Sequence, residues 1–210
     1  MTITGVADAD ATDESVTSNN VTATVTDVTS TVTDDDLPFT TVTIGTQTWS
    51  ASNVSLVPTT NNTLGVDYWN AYEGAGGSAT DNDGYYYIWD AAMNVCPSGW
   101  RLPSDSDWVI LEEAALAGAS GVDWLGMPGW RGNTEGTSLR VDGSSGFEAK
   151  LAGFRGTSGS FHNRGDYTYL WASTESGGSA YRRVLQTGID TIYRSVINKA
   201  YGFSVRCLKD

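Results

Sequence analysis

The sequence predicts a β-rich or α+β domain with few helices, preceded by a separate β-rich arm. Three observations support this prediction. Glycine, tryptophan and tyrosine are frequent, with 24, 8 and 10 residues, and such a loop-rich, aromatic composition is typical of β or α+β surface domains. One segment begins like an amphipathic helix. Several short segments alternate apolar and polar residues, which indicates strands.

The arm comprises residues 1–40, which are rich in Thr, Val, Asp and Ser and contain no aromatic residue before Phe39. Within it, VTATVTDVTSTVT at residues 21–33 alternates Val with Thr, as strands do, with one break in the alternation. A lone strand of this kind cannot bury enough surface to order itself. The arm is therefore either a disordered acidic linker or a strand that orders against sister chains, for example in a trimer, or against a host structure. We expect the second, with the arm serving attachment or oligomerisation.

The domain comprises residues 41–210. Its first stretch, TVTIGTQTWSASN, predicts a hairpin of two short strands around Gly45. Residues 58–84 are a loop rich in Asn, Gly and Thr, and the following GYYYIWDAAMNV is apolar and aromatic enough to be buried. From residue 119 onward we expect short strands between glycine-rich loops.

The clearest helix start lies in LPSDSDWVILEEAALAG. Ser104 can cap the helix, and Asp107 occupies the N3 position of a capping box. The residues at helical spacing on one face are Trp108, Leu111, Ala115 and Leu116. Gly118 is expected to end the helix.

The two cysteines, Cys96 and Cys207, have no metal-type spacing. They are either two buried thiols or one disulfide that ties the C-terminal strand to the middle of the chain. Chain entropy would make such a disulfide worth about 4–5 kcal/mol, and it would place maturation outside a reducing cytosol.

Charge and hydropathy exclude several classes of protein. The net charge is −13, and residues 1–100 contain 13 acidic residues but no Lys or Arg. Nucleic-acid binding needs clustered cations, so nucleic acid is not an expected partner. No apolar stretch is long enough for a membrane span. The first residues lack the features of a secretory signal, so we expect either that a signal has been removed or that the protein reaches the outside as part of a particle.

Four motifs follow one another in order: CPSGWRLPSDSDW (96–108), GFEAKLAGFRGTSGSF (146–161), WASTES (171–176) and YGFSVRCLKD (201–210). Together they resemble the Fibrobacter succinogenes major paralogous domain, a bacterial surface module, over about Val42 to Asp210. In the last motif, Phe203 and Val205 alternate with Ser204 and Arg206, which predicts a half-buried strand.

That resemblance implies an α+β fold of the C-type-lectin-like, formylglycine-generating-enzyme type. It implies small antiparallel sheets, one or two helices, termini that meet in one sheet, and a sheet and loops that present the ligand surface. The chain is also similar to the variable proteins of diversity-generating retroelements, in which hypervariable positions lie on the C-terminal strands and loops of a constant scaffold.

Candidate binding residues follow from the same resemblance, because they occupy positions that the family pattern leaves open. They are His162, Asn163, Arg164, Asp166, Thr168, Leu170, Arg182, Val184, Gln186, Thr191, Tyr193 and Ser195. Strand alternation is expected to place each set on one face of the sheet. Trp171 and Tyr181 are expected to lie in the core, and the alternative for the whole set is a plain solvated sheet face.

Catalysis and metal binding receive little support from the sequence. His162 is the only histidine, so neither a zinc site nor a Ser-His-Asp triad is indicated. The carboxylates Asp105, Asp107, Glu112 and Glu113 fit ordinary capping on a solvated helix. Asp81 and Asp83 resemble part of a calcium loop, but a polar turn is the preferred interpretation. We expect no cofactor. The Arg-Gly-Asp triplet from Arg164 is weak evidence for integrin binding.

The sequence thus predicts a non-catalytic binding domain on a phage particle or bacterial surface, acting outside the cell on a glycan or protein receptor. The arm would add avidity through oligomerisation. The alternative is a structural decoration or assembly protein of a virion or envelope, and a formylglycine-generating-type enzyme comes third.

Overall fold

A computed structural model describes residues 37–58, 68–69, 83–116 and 126–210. Most of the arm, residues 1–36, lies outside these ranges, and so do Asp81 and Gly118. The described elements, in chain order, are β1 (Thr41–Ile44), β2 (Gln47–Ser50), β3 (Tyr68–Trp69), β4 (Tyr86–Tyr87), α1 (Trp89–Ala92), β5 (Trp100–Arg101), α2 (Asp105–Ala115), β6 (Gly129–Arg131), α3 (Glu135–Leu139), β7 (Phe154–Arg155), β8 (Phe161–His162), β9 (Tyr167–Ser176), β10 (Ser179–Gln186), β11 (Ile192–Asn198) and β12 (Leu208–Lys209).

Two four-stranded antiparallel sheets organise these elements into an α+β fold. The first has the order β1-β2-β12-β5, so the last strand of the chain pairs with the first hairpin. The second, called here the central sheet, has the order β6-β11-β10-β9. The short strands β3 with β4 and β7 with β8 form two further pairs. None of the helices in the described ranges is both long and apolar enough to cross a membrane.

The predicted hairpin and the predicted helix are both confirmed. Gly45 lies in the β1–β2 turn with φ +60°, a left-handed conformation that glycine adopts without steric cost. The side chain of Ser104 accepts from the backbone N–H of Asp107, and the Asp107 carboxylate accepts from the backbone N–H of Ser104, which completes the capping box of α2. The residues predicted for the inner face, Trp108, Leu111, Ala115 and Leu116, are all buried.

The central sheet separates two hydrophobic clusters. On one face, Trp171 and Val184 join Tyr87 and Phe203 in the first core cluster. On the other face, Leu170, Ala172, Leu185 and Ile192 pack with residues of α2, α3 and the first sheet in the second core cluster. Because core residues pack against both faces of the central sheet, only part of the first face is exposed to solvent.

A disulfide joins Cys96 to Cys207, whose Cα atoms lie 5.8 Å apart although 111 positions separate them in the sequence. Cys207 is fully buried and Cys96 is partly exposed. The bond ties the segment before β5 to the segment before β12, which are neighbouring strands of the first sheet.

The C-terminal motif differs from the expected half-buried strand. Ser204 and Arg206 are as fully buried as Phe203 and Val205, and the segment makes isolated bridges rather than a ladder. The Arg206 guanidinium donates to the side-chain oxygen of Asn53 and to three main-chain carbonyls. The prediction was wrong because alternation cannot reveal a buried cation that is satisfied by neutral acceptors. Burial lowers the pKa of Arg206 to about 9.

One further helix, α3, was not expected from the sequence, which predicted short strands after residue 119. It is a five-residue helix whose first two residues, Glu135 and Gly136, are buried. A Cβ at Gly136 would lie 2.3 Å from the carbonyl oxygen of Thr191, so α3 packs directly on the backbone at the start of β11.

Candidate functional site

The central sheet presents a partly exposed face on which several candidate residues lie together. Cross-strand pairing places Arg182 between Trp171 on β9 and Ser195 on β11. Strand alternation then puts Gln186 and Tyr193 on the same face as Arg182, and these candidates are all partly exposed. We call this surface the aromatic face; its members are Trp130, Tyr167, Tyr169, Arg182, Gln186, Tyr193 and Ser195.

Three candidate residues do not belong to an exposed face. Thr168 pairs with Leu185 and Leu170 pairs with Arg183, so both side chains point to the opposite side of the sheet, and both are fully buried. The two residues do share one face, as expected, but that face is covered by the core, where Leu170 joins the second core cluster. Alternation shows which residues share a face, and it does not show which face is covered. Val184 lies on the same face as Arg182 but is buried in the first core cluster.

Aromatic rings surround Arg182. Its guanidinium carbon lies 5.2 Å from the ring centroid of Tyr169 and 5.4 Å from that of Phe203. Its Nε donates to the hydroxyl oxygen of Ser195 at 3.1 Å. Burial lowers the pKa of Arg182, although nearby Tyr169, Tyr193 and Tyr201 act in the opposite direction. These contacts are cation–π interactions with partly desolvated rings.

The rings continue on either side of Arg182. On one side, Tyr193 packs against Trp130 with ring centroids 5.2 Å apart, and Trp130 is 44% exposed on the edge strand β6. On the other side, Tyr167 stacks on Tyr169 at 5.9 Å. The result is a row that crosses all four strands of the central sheet, with rings on β6, β11 and β9 and with Arg182 on β10.

A turn at residues 162–166 borders this row. Asn163 has φ +63°, which is uncommon for a residue other than glycine. Its carbonyl accepts from the N–H groups of Asp166 and Tyr167, and its side-chain nitrogen donates to the Tyr169 hydroxyl at 2.8 Å. The pKa of Tyr169 is raised by burial, and the bond from Asn163 opposes that rise. His162, Asn163 and Asp166 are exposed, so the turn presents polar groups beside the rings.

Two open clefts flank the turn. One, of about 300 Å³, is lined by Phe154, Gly156, Thr157, Ser158, His162, Asn163 and Tyr201. The other, of about 610 Å³, is lined by Asp83, Val141, Lys150, Leu151, Asn163, Arg164, Gly165 and Asp166. Asn163 lines both clefts. The smaller cleft is lined by aromatic rings, hydroxyl groups and an amide, and the larger cleft is lined by side chains of both charges.

Arg164 makes a structural contact as well as lining a cleft. Its Nε lies 2.6 Å from a carboxylate oxygen of Asp83, and the Arg164 side chain is 30% exposed. Asp83 therefore already has a cationic partner, which is unlike a free calcium ligand. Within the described ranges, no three His, Cys, Asp or Glu side chains converge as a metal site would require.

A network of buried ions supports the central sheet from its other face. Glu112 accepts from Arg183 and from Arg131, each at 2.6 Å, and all three side chains are buried. Asp105 accepts from Arg183 and Arg194. Glu112 and Asp105 therefore do not form a solvated helix surface, as the sequence had suggested. They hold the scaffold beneath the aromatic face.

The remaining candidate, Thr191, is partly exposed just before β11, with its carbonyl against α3. The structure thus brings together Arg182, Gln186, Tyr193 and Ser195, and it places His162 and Asn163 at the adjoining turn.

Sequence reasoning missed several aromatic members of this surface. Tyr169 and Tyr167 could have been found by stepping back two residues at a time from Trp171, which was correctly expected in the core. Phe154 and Tyr201, which lie beside the aromatic face, belong to the second and fourth of the motifs that carry the family resemblance, and they were not considered as binding residues. Their rings are 5.9 Å apart and both line the smaller cleft.

Comparison with known proteins yields one match. A family model described as the Fibrobacter succinogenes major domain matches residues 42–209. Neither the curated proteins nor the solved structures include a significant match to the chain.

Proposed function

The chain belongs to the Fibrobacter succinogenes major domain family, and from this premise we propose that residues 41–210 form a non-catalytic ligand-binding domain. The observation that carries the proposal is the aromatic face. Half-exposed rings, a partly buried cation and an adjoining polar turn lie on one rigid sheet. Rigid aromatic side chains and arginine are enriched at recognition surfaces because they offer contact area at low entropic cost.

The fold is proposed to be C-type-lectin-like. Two features support this proposal: β12 pairs with β2, so the ends of the domain meet in one sheet, and a second small antiparallel sheet presents its C-terminal strands with irregular loops. The fold alone does not determine a function, so the proposal rests on the face rather than on the architecture.

The absence of catalysis is part of the proposal. His162 stacks beside Phe154, with ring centroids 5.2 Å apart, and both cysteines form the disulfide. The buried carboxylate of Glu112 and the partly exposed carboxylate of Asp105 are each bound by two arginines. The cysteines and these carboxylates are therefore not free to act as a nucleophile or base, and His162, which does line the smaller cleft, has neither cysteine beside it.

The setting is proposed to be a phage particle or bacterial surface outside the cell, with a glycan or protein receptor as the partner. The disulfide supports this setting, because such bonds persist in oxidising compartments. The arm at residues 1–40 is proposed to attach or oligomerise the domain.

A binding experiment tests the proposal. The labelled full-length chain is applied to intact bacterial cells and to a printed array of defined oligosaccharides. The double variant Arg182→Ala, Tyr193→Ala is expected to lose at least tenfold in affinity while its melting temperature changes little. Val196→Ala is the matched control, because Val196 is exposed on β11 but pairs with Tyr181 on the other face.

Retention of full binding by the folded double variant would show that the aromatic face is not the binding site. A wild-type chain that binds neither cells nor array would contradict the recognition function itself.

A further inference from the structure

The arginines of this domain differ in how many of their guanidinium nitrogens donate hydrogen bonds to the protein. Arg183 donates to Glu112, to the Asp105 carboxylate and to the Asp105 carbonyl. Arg194 makes a two-point contact with Asp105 and a third bond to the carbonyl of Gly126. Arg206 makes four hydrogen bonds. In each of these guanidinium groups, Nε and both terminal nitrogens donate to an acceptor that the scaffold supplies.

Arg182 differs from these three arginines. Only its Nε donates to a described residue, the Ser195 hydroxyl. Both terminal nitrogens are without an acceptor in the described part of the chain, and no described carboxylate forms an ion pair with this guanidinium. It is held in place by the rings of Tyr169 and Phe203 beneath it. A guanidinium with a free planar edge matches a carboxylate in a two-point contact.

The location strengthens this assignment. A partly desolvated cation gains more binding free energy from an anionic partner than a fully solvated cation does. Hydrogen bonds between charged groups are also stronger than those between neutral groups. The chain carries a net charge of −13, so it offers no long-range attraction to an acidic ligand. Selectivity for an acid must therefore come from this local contact.

The neighbouring cleft indicates what carries the carboxylate. Tyr169 and Phe203, which lie under Arg182, also contact Phe154, at 4.7 and 6.0 Å between ring centroids. Phe154 forms one wall of the cleft of about 300 Å³, together with Tyr201 and with the polar side chains of Thr157, Ser158, His162 and Asn163. Flat rings beside hydroxyl and amide groups suit a sugar, which has apolar C–H faces and a polar rim. An apolar peptide anchor would need a deeper, less polar pocket.

We infer that the ligand is a glycan with a carboxylate-bearing sugar, whose carboxylate binds the terminal nitrogens of Arg182 while an adjoining neutral sugar occupies the Phe154–Tyr201 cleft. This inference rests on the proposed binding function and specifies its ligand class.

The test applies the full-length chain to a glycan array. Each oligosaccharide that contains sialic acid or a uronate is printed beside a neutral counterpart, which is either desialylated or carboxyl-reduced. A sulfated counterpart is printed beside them. The wild type is expected to bind at least one carboxylated member tenfold or more above its neutral partner. Arg182→Gln is expected to abolish that ratio, and Arg182→Lys to retain part of it. Lys209→Gln, at an exposed position of β12, should leave it unchanged.

A second measurement uses only the wild-type chain, so it does not depend on whether a variant folds. Binding of the wild type should be inhibited by the free acidic monosaccharide and at least tenfold less by its methyl ester. Three outcomes would overturn the inference: equal binding to acidic and neutral glycans, preference for the sulfated glycan, or binding to an acidic peptide alone. Each of these outcomes would still be compatible with the proposed ligand-binding function. Failure to bind either array or cells would overturn the proposed function as well.

Discussion

The Nε atom of Arg183 lies 2.6 Å from a carboxylate oxygen of Glu112, and both side chains are fully buried between α2 and the central sheet. Glu112 is also bound by Arg131 at the same distance. One carboxylate thus compensates two buried cations, and a second carboxylate, that of Asp105, also binds Arg183. Two carboxylates of α2 thus hold three arginines of the central sheet.

Glu112→Gln is therefore expected to lower the free energy of unfolding by about 3–5 kcal/mol, because it leaves buried guanidinium groups without their counter-charge. Urea unfolding followed by tryptophan fluorescence measures the change. Glu113→Gln, one residue along α2 and exposed, should alter stability by no more than about 0.5 kcal/mol. Equal effects of the two variants would contradict the buried network.

Acid should destabilise the domain through Asp105. Burial by itself would raise the pKa of this carboxyl, but the hydrogen bonds and charges of Arg194 and Arg183 outweigh it and lower the pKa below the ordinary value of 3.8. The unfolded chain then binds more protons than the folded chain in that range. The stabilisation is present above pH 3.8 and is lost as pH falls below it.

Melting temperatures measured between pH 7 and pH 2 test this dependence. Asp105→Asn is expected to be less stable than the wild type at pH 7 and to show a shallower decline on acidification. Parallel curves for the two proteins would mean that Asp105 contributes nothing to the acid response.

Local features of the fold were predictable because they depend on neighbouring residues. The Ser104–Asp107 capping box and the Gly45 hairpin each need only a few adjacent side chains. The burial of Arg206 was not predictable, because the acceptors that satisfy it include carbonyls more than 50 positions away.

The candidate site was predictable only in part for the same reason. Alternation correctly placed Arg182 with Gln186 on one face of β10, and Tyr193 with Ser195 on one face of β11, since it acts within a strand. It could not show that Leu170 faces Arg183 across the β9–β10 pair, nor that Tyr201 and Phe154 meet at a cleft. Such relationships depend on register and on long-range contacts.

The Cys96–Cys207 disulfide is expected to contribute about 4–5 kcal/mol, because it closes a long loop in the unfolded chain. The double variant Cys96→Ala, Cys207→Ala should show that loss in urea unfolding. The wild type treated with reductant in denaturant should fall to the same midpoint. Unchanged stability in both cases would show that the cross-link does not constrain the unfolded state.

Leu170 should behave as a core residue rather than as a ligand contact. Leu170→Ala is expected to cost about 2–5 kcal/mol of unfolding free energy through the cavity it leaves. Val196→Ala, on an exposed part of β11, should stay within about 0.5 kcal/mol. Unchanged stability of Leu170→Ala would indicate that Leu170 is an exposed residue and not part of the core.

The turn beside the aromatic face depends on Gly153. This glycine has φ +72°, and a Cβ there would lie 2.3 Å from the carbonyl oxygen of His162 and 2.7 Å from the backbone nitrogen of Arg164. Gly153→Ala must therefore displace the turn that carries Asn163, in addition to straining its own backbone. Gly178→Ala is the matched control, because Gly178 lies in the β9–β10 turn with a φ of +85° and no atom lies within 4 Å of the added carbon.

Since the chain has one histidine, the imidazole carbon and proton signals of His162 report on the turn at residues 162–166 in an NMR spectrum. These signals should shift in Gly153→Ala and remain near their wild-type positions in Gly178→Ala. Binding to cells or glycans should fall in parallel with the shift, because the turn borders both clefts and holds the hydroxyl of Tyr169. Identical spectra for the two variants would mean that Gly153 does not position the turn.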